Sequence, residues 1–292
     1  MSAEHLERLR LSSSRAATAA DFLEACGDTM LAWAAQDEAN EERQWGRRMD
    51  AASAFREAAQ WAMFLDVPRA TQLLARSGAI FLNHGFGYGT FLMAATGERQ
   101  DTVLQGRIRP MIRSLELATA QQSGATETAA QDLPAPLRHP QQQVYLLLAC
   151  AAPPLLAPDD RERLLQLARN SPNRLGVLPV GALGTPLRRF WDVALHLLAS
   201  NPETGPAVVV EHLQSMSLRY GESMELAMTN DYLWDHGAAP VDVIDFDLAV
   251  ITALGIRAFG RPVMGRAMET FQERVPPVAR TPVELGAELV AE

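Results

Sequence analysis

Apolar residues in this chain recur three and four positions apart almost from end to end, and no segment shows the one-in-two alternation of a half-buried strand. That regularity restricts the fold to helices packed on helices, because a helix with one apolar stripe must bury it against another such surface. In RAATAADFLEACGDTMLAWAAQ the spacing places Ala19, Phe22, Leu23, Cys26, Met30 and Trp33 on one face. From 51 to 83 it predicts a helical hairpin. Its first helix carries Phe55, Ala58, Ala59, Ala62 and Leu65, and Asp66 to Pro68 form the turn. Pro68 suits the first turn of the second helix, where a missing amide hydrogen costs nothing. Composition agrees: hydrophobic residues make up 48% and aromatics only 7%, so the apolar content is mainly Ala, Leu and Val. Ala and Leu are strong helix formers.

Further along, a helix pair is expected from about 90 to 120, broken or kinked at Pro110. Residues 120 to 143 lack large apolar side chains apart from Leu133 and Leu137, the composition of an exposed linker or long loop. Pro153, Pro154 and Pro158 then separate two helices, and Asp159 and Asp160 suit the first turn of the second. Longer helices follow from Thr185 and from Gly205. The segment DVIDFDLAVITALGIRAFG forms a late helix whose Ala249, Ala253 and Ala258 let a neighbour approach closely. The expected fold is all-α: stacked antiparallel helical hairpins, a repeat-like bundle or short solenoid of about ten or eleven helices. Ala58, Trp61, Ala70 and Leu74 stand near tetratricopeptide spacings, but no later segment repeats them in register. Residues 1–292 read as a single domain with two lobes, about 14–120 and 140–275, joined by the loop at about 120–140, with 276–292 as a loose tail.

Charge narrows the function classes. The net charge is -9, and the 26 basic residues are all Arg. Single, scattered arginines under a negative total disfavour nucleic acid. Between 201 and 260 nine acidic residues face only Arg219 and Arg257, a local balance of -7. Such a segment favours a basic protein partner. Cys26 and Cys150 have no nearby Cys or His, so free thiols are expected. The charged start MSAEHLERLRLSSSR lacks the apolar run of a signal peptide, and no run of about 18 apolar residues suggests a membrane span. A cytoplasmic location follows.

Four features invite chemistry. IFLNHGFGYGTF gathers Gly85, Gly87 and Gly89 beside His84. It follows a helix rather than a strand and lacks a Gly-Lys-Ser/Thr ending, so it reads as a glycine-built corner: Gly85 ends one helix, and Gly87 and Gly89 shape the turn. Phe86, Tyr88 and Phe91 then pack between hairpins, with Tyr88 available to a partner protein. Asp192 and His196 lie four apart on one helix face, an ordinary side-chain pair unless His212 joins them as a metal ligand. The densest polar group is TNDYLWDHGAAPVDVIDFD, with Asp231, Asp235, His236, Asp242, Asp245 and Asp247. Asp242 or Asp245 suits the cap of the following helix. The group also suits a catalytic or metal centre, or an acidic rim around Tyr232 and Trp234 as interface anchors. Nucleophile motifs are absent.

In FREAAQWAMFLD, FWDVALHLLAS and DFDLAVITALGIRAFGRPV, helix character and the positions of Ala, Leu and Gly resemble the immunity protein family forty-nine of bacterial polymorphic toxin systems, over about residues 50 to 265. The resemblance implies a cytoplasmic antidote that binds and neutralises a toxin, with no catalytic residues to carry over. The expectation is a non-enzymatic protein without cofactor or metal. Its partner is a basic toxin domain, met through Asp231, Tyr232, Trp234, Asp235, Asp242, Asp245, Asp247 and Tyr88. Two alternatives stay open: a helical scaffold or adaptor, and an enzyme using the Asp/His group at 231–247.

Overall fold

A computed structural model describes residues 3–37, 40–63, 65–96, 140–151, 156–170, 184–229 and 245–290. Among them are eleven helices and no strand. The first four are α1 (Ala3–Gln36), α2 (Glu41–Ala62), α3 (Val67–Asn83) and α4 (Gly87–Thr96). Then come α5 (Pro140–Cys150), α6 (Pro158–Asn170), α7 (Gly184–Ala199) and α8 (Gly205–Thr229). The chain ends in α9 (Phe246–Phe259), α10 (Arg261–Arg274) and α11 (Pro277–Glu288). Each of the first four packs on the next; α5, α7, α8, α10 and α11 pack around α9, and α6 packs on α7. Among the described residues no helix is long and apolar enough to cross a membrane. The helices expected at 90–120 lie outside the described residues beyond Thr96, as does the expected loop up to 139. Residues 140–143 belong instead to the first turn of α5.

The α1–α2 hairpin is closed by small residues. Ala20, Gly27 and Ala34, seven apart, are buried, and a Cβ on Gly27 would stand 2.6 Å from the Phe55 ring. The ring therefore lies in a notch that only glycine provides. The expected face is corrected in part: Ala19, Leu23 and Met30 pack on the core, but Phe22 and Trp33 are 66% and 45% exposed, because the stripe of small residues lets the two helices approach. Leu65 is also exposed, since α2 ends at Ala62 and Leu65 falls in the turn. Asp66 caps α3 by accepting from the Arg69 amide at 3.1 Å, with Pro68 in the first turn. Ion pairs of Arg69 with Asp21 and Glu24, and of Arg76 with Glu24 and Asp28, tie α3 to α1. The Arg76 guanidinium also lies over the Phe55 ring at 3.9 Å.

At the next corner the Gly85 amide donates to Leu82 and the Phe86 amide to Phe81. Gly85, with φ of 82°, takes the left-handed position that ends α3. Gly87 and Gly89 are not turn residues; they sit in the first turn of α4, where backbones touch. A Cβ on Gly87 would lie 2.0 Å from the Gln142 carbonyl oxygen, and one on Gly89 2.6 Å from that of Gly78. The glycines thus bring α4 against both α5 and α3.

Helix α9 is buried all round, from Leu248 to Ile256, and packs against α4, α5, α7, α8, α10 and α11. Its Arg257 donates to the Ala95 carbonyl near the end of α4. The expected loose tail is a packed helix: α11 buries Ala279, Val283 and Leu289. Its Gly286 admits the Ala249 carbonyl, which a Cβ would meet at 2.3 Å. Arg261 holds its end through the Ala287 carbonyl. Polar contacts at the other rim come from Arg161 of α6, which donates to the carbonyls of Leu197, Leu198 and Ala151, closing the ends of α7 and α5 together. Both cysteines are free, and burial pushes the fully enclosed Cys150 thiol up to about 12.

Gly87→Ala should lower stability by roughly 1–3 kcal/mol or more, as overpacked cores do. Gly265→Ala in α10, where a Cβ meets nothing within 4 Å, should raise it by about 0.5–1 kcal/mol. Chemical denaturation of the two variants measures both.

Candidate functional site

Where α9 begins, the packing leaves a cavity of about 670 Å³, within the range of small-molecule sites. Six helices wall it. Helix α2 supplies Arg56 and Gln60, four apart and so on one helix face. Phe81, Phe86 and Tyr88 come from the α3–α4 corner. Helix α5 turns Gln141, Gln142 and Tyr145 inward, and α8 presents Met216, Arg219 and Tyr220 at helical spacing. Asp245, Phe246 and Asp247 close it from the start of α9.

A continuous polar and aromatic network runs through these walls. The Tyr88 amide donates to Gln142 Oε1 at 3.0 Å, fixing the first turn of α4 on α5. The Tyr88 and Tyr145 rings meet edge to face with centroids 4.9 Å apart, and Phe91 and Phe81 pack on Tyr88 at 6.0 and 5.8 Å. The Tyr145 hydroxyl donates to Asp247 Oδ2 at 2.8 Å. From the other side the Arg56 guanidinium lies 6.0 Å from the Tyr88 ring centre, and its buried Nε has no acceptor among the described residues. Asp245 Oδ1 accepts from the Leu248 amide at 3.2 Å and so caps α9.

The enclosure changes the acid–base character of its members. Burial and the neighbouring Asp245 push the Asp247 carboxyl up to about 7, against the opposing effects of the Tyr145 hydrogen bond and Arg56. Burial, then the charge of Asp247, raises the phenols of Tyr88 and Tyr145, so both keep their protons. The cavity therefore holds three phenol hydroxyls, two guanidinium groups and a carboxyl that changes charge near neutrality. Those are groups able to bind a polar ligand or exchange a proton with it.

Of the residues expected from sequence, the structure brings Tyr88, Asp245 and Asp247 together in this cavity. Asp231, Tyr232, Trp234, Asp235, His236 and Asp242 lie outside the described residues. His84 ends α3, and burial and Arg48 lower its basicity. His212 is buried against Phe190, with ring centres 5.3 Å apart. Burial and the positive charges of Arg189 and Arg219 push it down to about 4. The same charges oppose a metal ion there, and among the described residues no three His, Cys, Asp or Glu side chains gather to hold one.

Sequence reasoning missed Arg56, Gln141, Gln142, Tyr145, Arg219 and Tyr220. A signal was present: the chain has only four tyrosines, and three of them line this cavity. A tyrosine inside an apolar run, as in QVYLLL, needs a partner for its hydroxyl when buried, and so points to a polar site inside the bundle. The chain matches no protein-family model, no curated protein and no solved structure.

The linkage of Asp247 has a definite sign. Between its ordinary value of 3.8 and about 7, the unfolded chain has released the proton while the folded chain keeps it, so stability falls as pH rises through that window. Asn cannot ionise. Asp247→Asn is therefore expected to melt at a higher temperature than the unsubstituted protein at pH 8.5, by a margin that shrinks as pH falls through the window and closes near pH 4. Equal melting temperatures at both pH values would show an ordinarily solvated carboxylate.

Proposed function

We propose that this is a non-enzymatic binding protein of the immunity type, which holds a cognate basic toxin in the cytoplasm and blocks its active surface. The observation that carries the reading is the convergence of Phe81, Phe86, Tyr88, Tyr145, Tyr220 and Phe246 with Arg56 and Arg219 on one cleft. Tyr and Arg are the residues on which interface energy concentrates, and a preformed aromatic cleft seats a partner's side chains at little conformational cost. The acidic segment from 201 to 260, with its balance of -7, supplies steering toward a basic surface. Inhibition by occlusion needs only that the docked partner cannot reach its substrate.

The test is co-expression with a toxin encoded beside the gene. Growth is expected to be restored and a complex recovered. Arg219→Glu and Phe86→Ala, both at the cleft, should each weaken the complex by more than about tenfold. Continued killing with no complex removes the immunity reading. A solitary gene among signalling proteins would favour an adaptor instead.

A second reading draws on Asp247. A carboxyl near neutrality beside a phenol in an enclosed site suits general acid–base work. On that reading Asp247→Asn, correctly folded, loses turnover while retaining ligand, which the binding reading does not require.

A further inference from the structure

We propose that the cavity binds the carboxylate of an aromatic acid, either a free small molecule or the C-terminal residue of a peptide, between Arg56 and Arg219 with the Phe81, Phe86 and Tyr220 rings around its flat body. The inference goes beyond docking of a protein partner and does not depend on it.

The lining is rich in donors. Arg56 and Arg219 enter from α2 and α8, side-chain amides from α2 and α5, and phenol hydroxyls from α4, α5 and α8. Several acceptors are already used: Asp245 gives one oxygen to the α9 cap, Asp247 accepts from Tyr145, and Gln142 Oε1 accepts from the Tyr88 amide. The Arg56 Nε is enclosed and has no acceptor among the described residues, so a bound anion would supply the missing half of that hydrogen bond. Aromatic walls select a flat apolar body next to the charge.

Asp247 makes the binding proton-linked. The groups acting on it are Arg56 from α2, the phenols of Tyr88 from α4 and Tyr145 from α5, and Asp245 beside it, while Arg219 and Tyr220 from α8 line the same cavity. Ionised, Asp247 cancels one of the two guanidinium charges and repels an incoming carboxylate. Protonated, it leaves the cavity positive and donates a hydrogen bond to the ligand. Binding is thus accompanied by proton uptake and weakens as pH rises past about 7.

Calorimetric titration of the full chain with phenylacetate, N-acetyl-L-phenylalanine, acetyl-Gly-Gly-Phe and N-acetyl-L-phenylalanine amide tests this. At least one carboxylate should bind at pH 6 and bind more than about tenfold weaker at pH 8.5, while the amide should not bind. Preference for phenylacetate identifies a free acid as the source, and preference for the tripeptide identifies a chain terminus. Arg219→Gln, at an exposed position, should cost about tenfold or more in affinity with an unchanged circular dichroism spectrum. Asp247→Asn should keep binding and lose its pH dependence. Absence of binding by all three acids at millimolar concentration, equal binding of the amide, or affinity that rises with pH would each overturn the proposal. Neither outcome bears on toxin neutralisation, which co-expression reads separately.

Discussion

A helix with apolar side chains on every side has to be enclosed, and α9 is such a helix. From Leu248 to Ile256 its side chains are apolar except Thr252, whose hydroxyl donates to the Leu248 carbonyl, so six other helices surround it. That enclosure takes the polar start of the helix inside with it. Asp245 must stay to satisfy an amide of the first turn, and Asp247 two residues later is carried into the same space. The unusual acidity of this corner is a consequence of where the central helix must begin. Helices α2, α4, α5 and α8 answer it with arginines, glutamines and tyrosines.

Close approach elsewhere comes from small side chains rather than bulk. Gly27 under the Phe55 ring, Gly78 against Gly89, Gly87 against Gln142 and Gly286 against Ala249 are all places where a methyl group would collide. With backbones this near, dispersion between main chains does much of the work that large side chains do in other cores. Alanines on the faces between them, such as Ala51, Ala58, Ala59 and Ala253, stay fully buried for the same reason. The scarce aromatic residues are then concentrated where the helices splay, around Tyr88 and Tyr145.

Periodicity made the helices legible; Pro68 marked the start of α3, whose cap is Asp66, and of the two aspartates suited to cap α9 it is Asp245 that does so. What periodicity does not rank is which of two overlapping stripes faces inward. On α1 the stripe of Ala20, Gly27 and Ala34 wins over that of Phe22 and Trp33, because contact distance, decided by the partner helix, outweighs side-chain hydrophobicity. The same blindness applies to Gly87 and Gly89, whose role depends on Gln142 and Gly78 far away in sequence. It applies to the tail from residue 276 too, whose closely spaced prolines hide a helical stripe that fits α9. Of the candidate site, Tyr88, Asp245 and Asp247 were visible. The arginines and glutamines that complete it sit on ordinary amphipathic helices and acquire meaning only from the side chains opposite.

Cys150, at the end of α5, is sealed between helices and holds its proton far more tightly than a free thiol. Attack by a thiol-reactive dye then has to wait for α5 to swing away from its neighbours, whereas Cys26 on α1 is partly accessible from the start. The slower of the two labelling reactions is a built-in clock for breathing of the bundle. Because α5 also carries Tyr145 and the glutamines of the cavity wall, that clock would report how often this wall of the cavity comes loose.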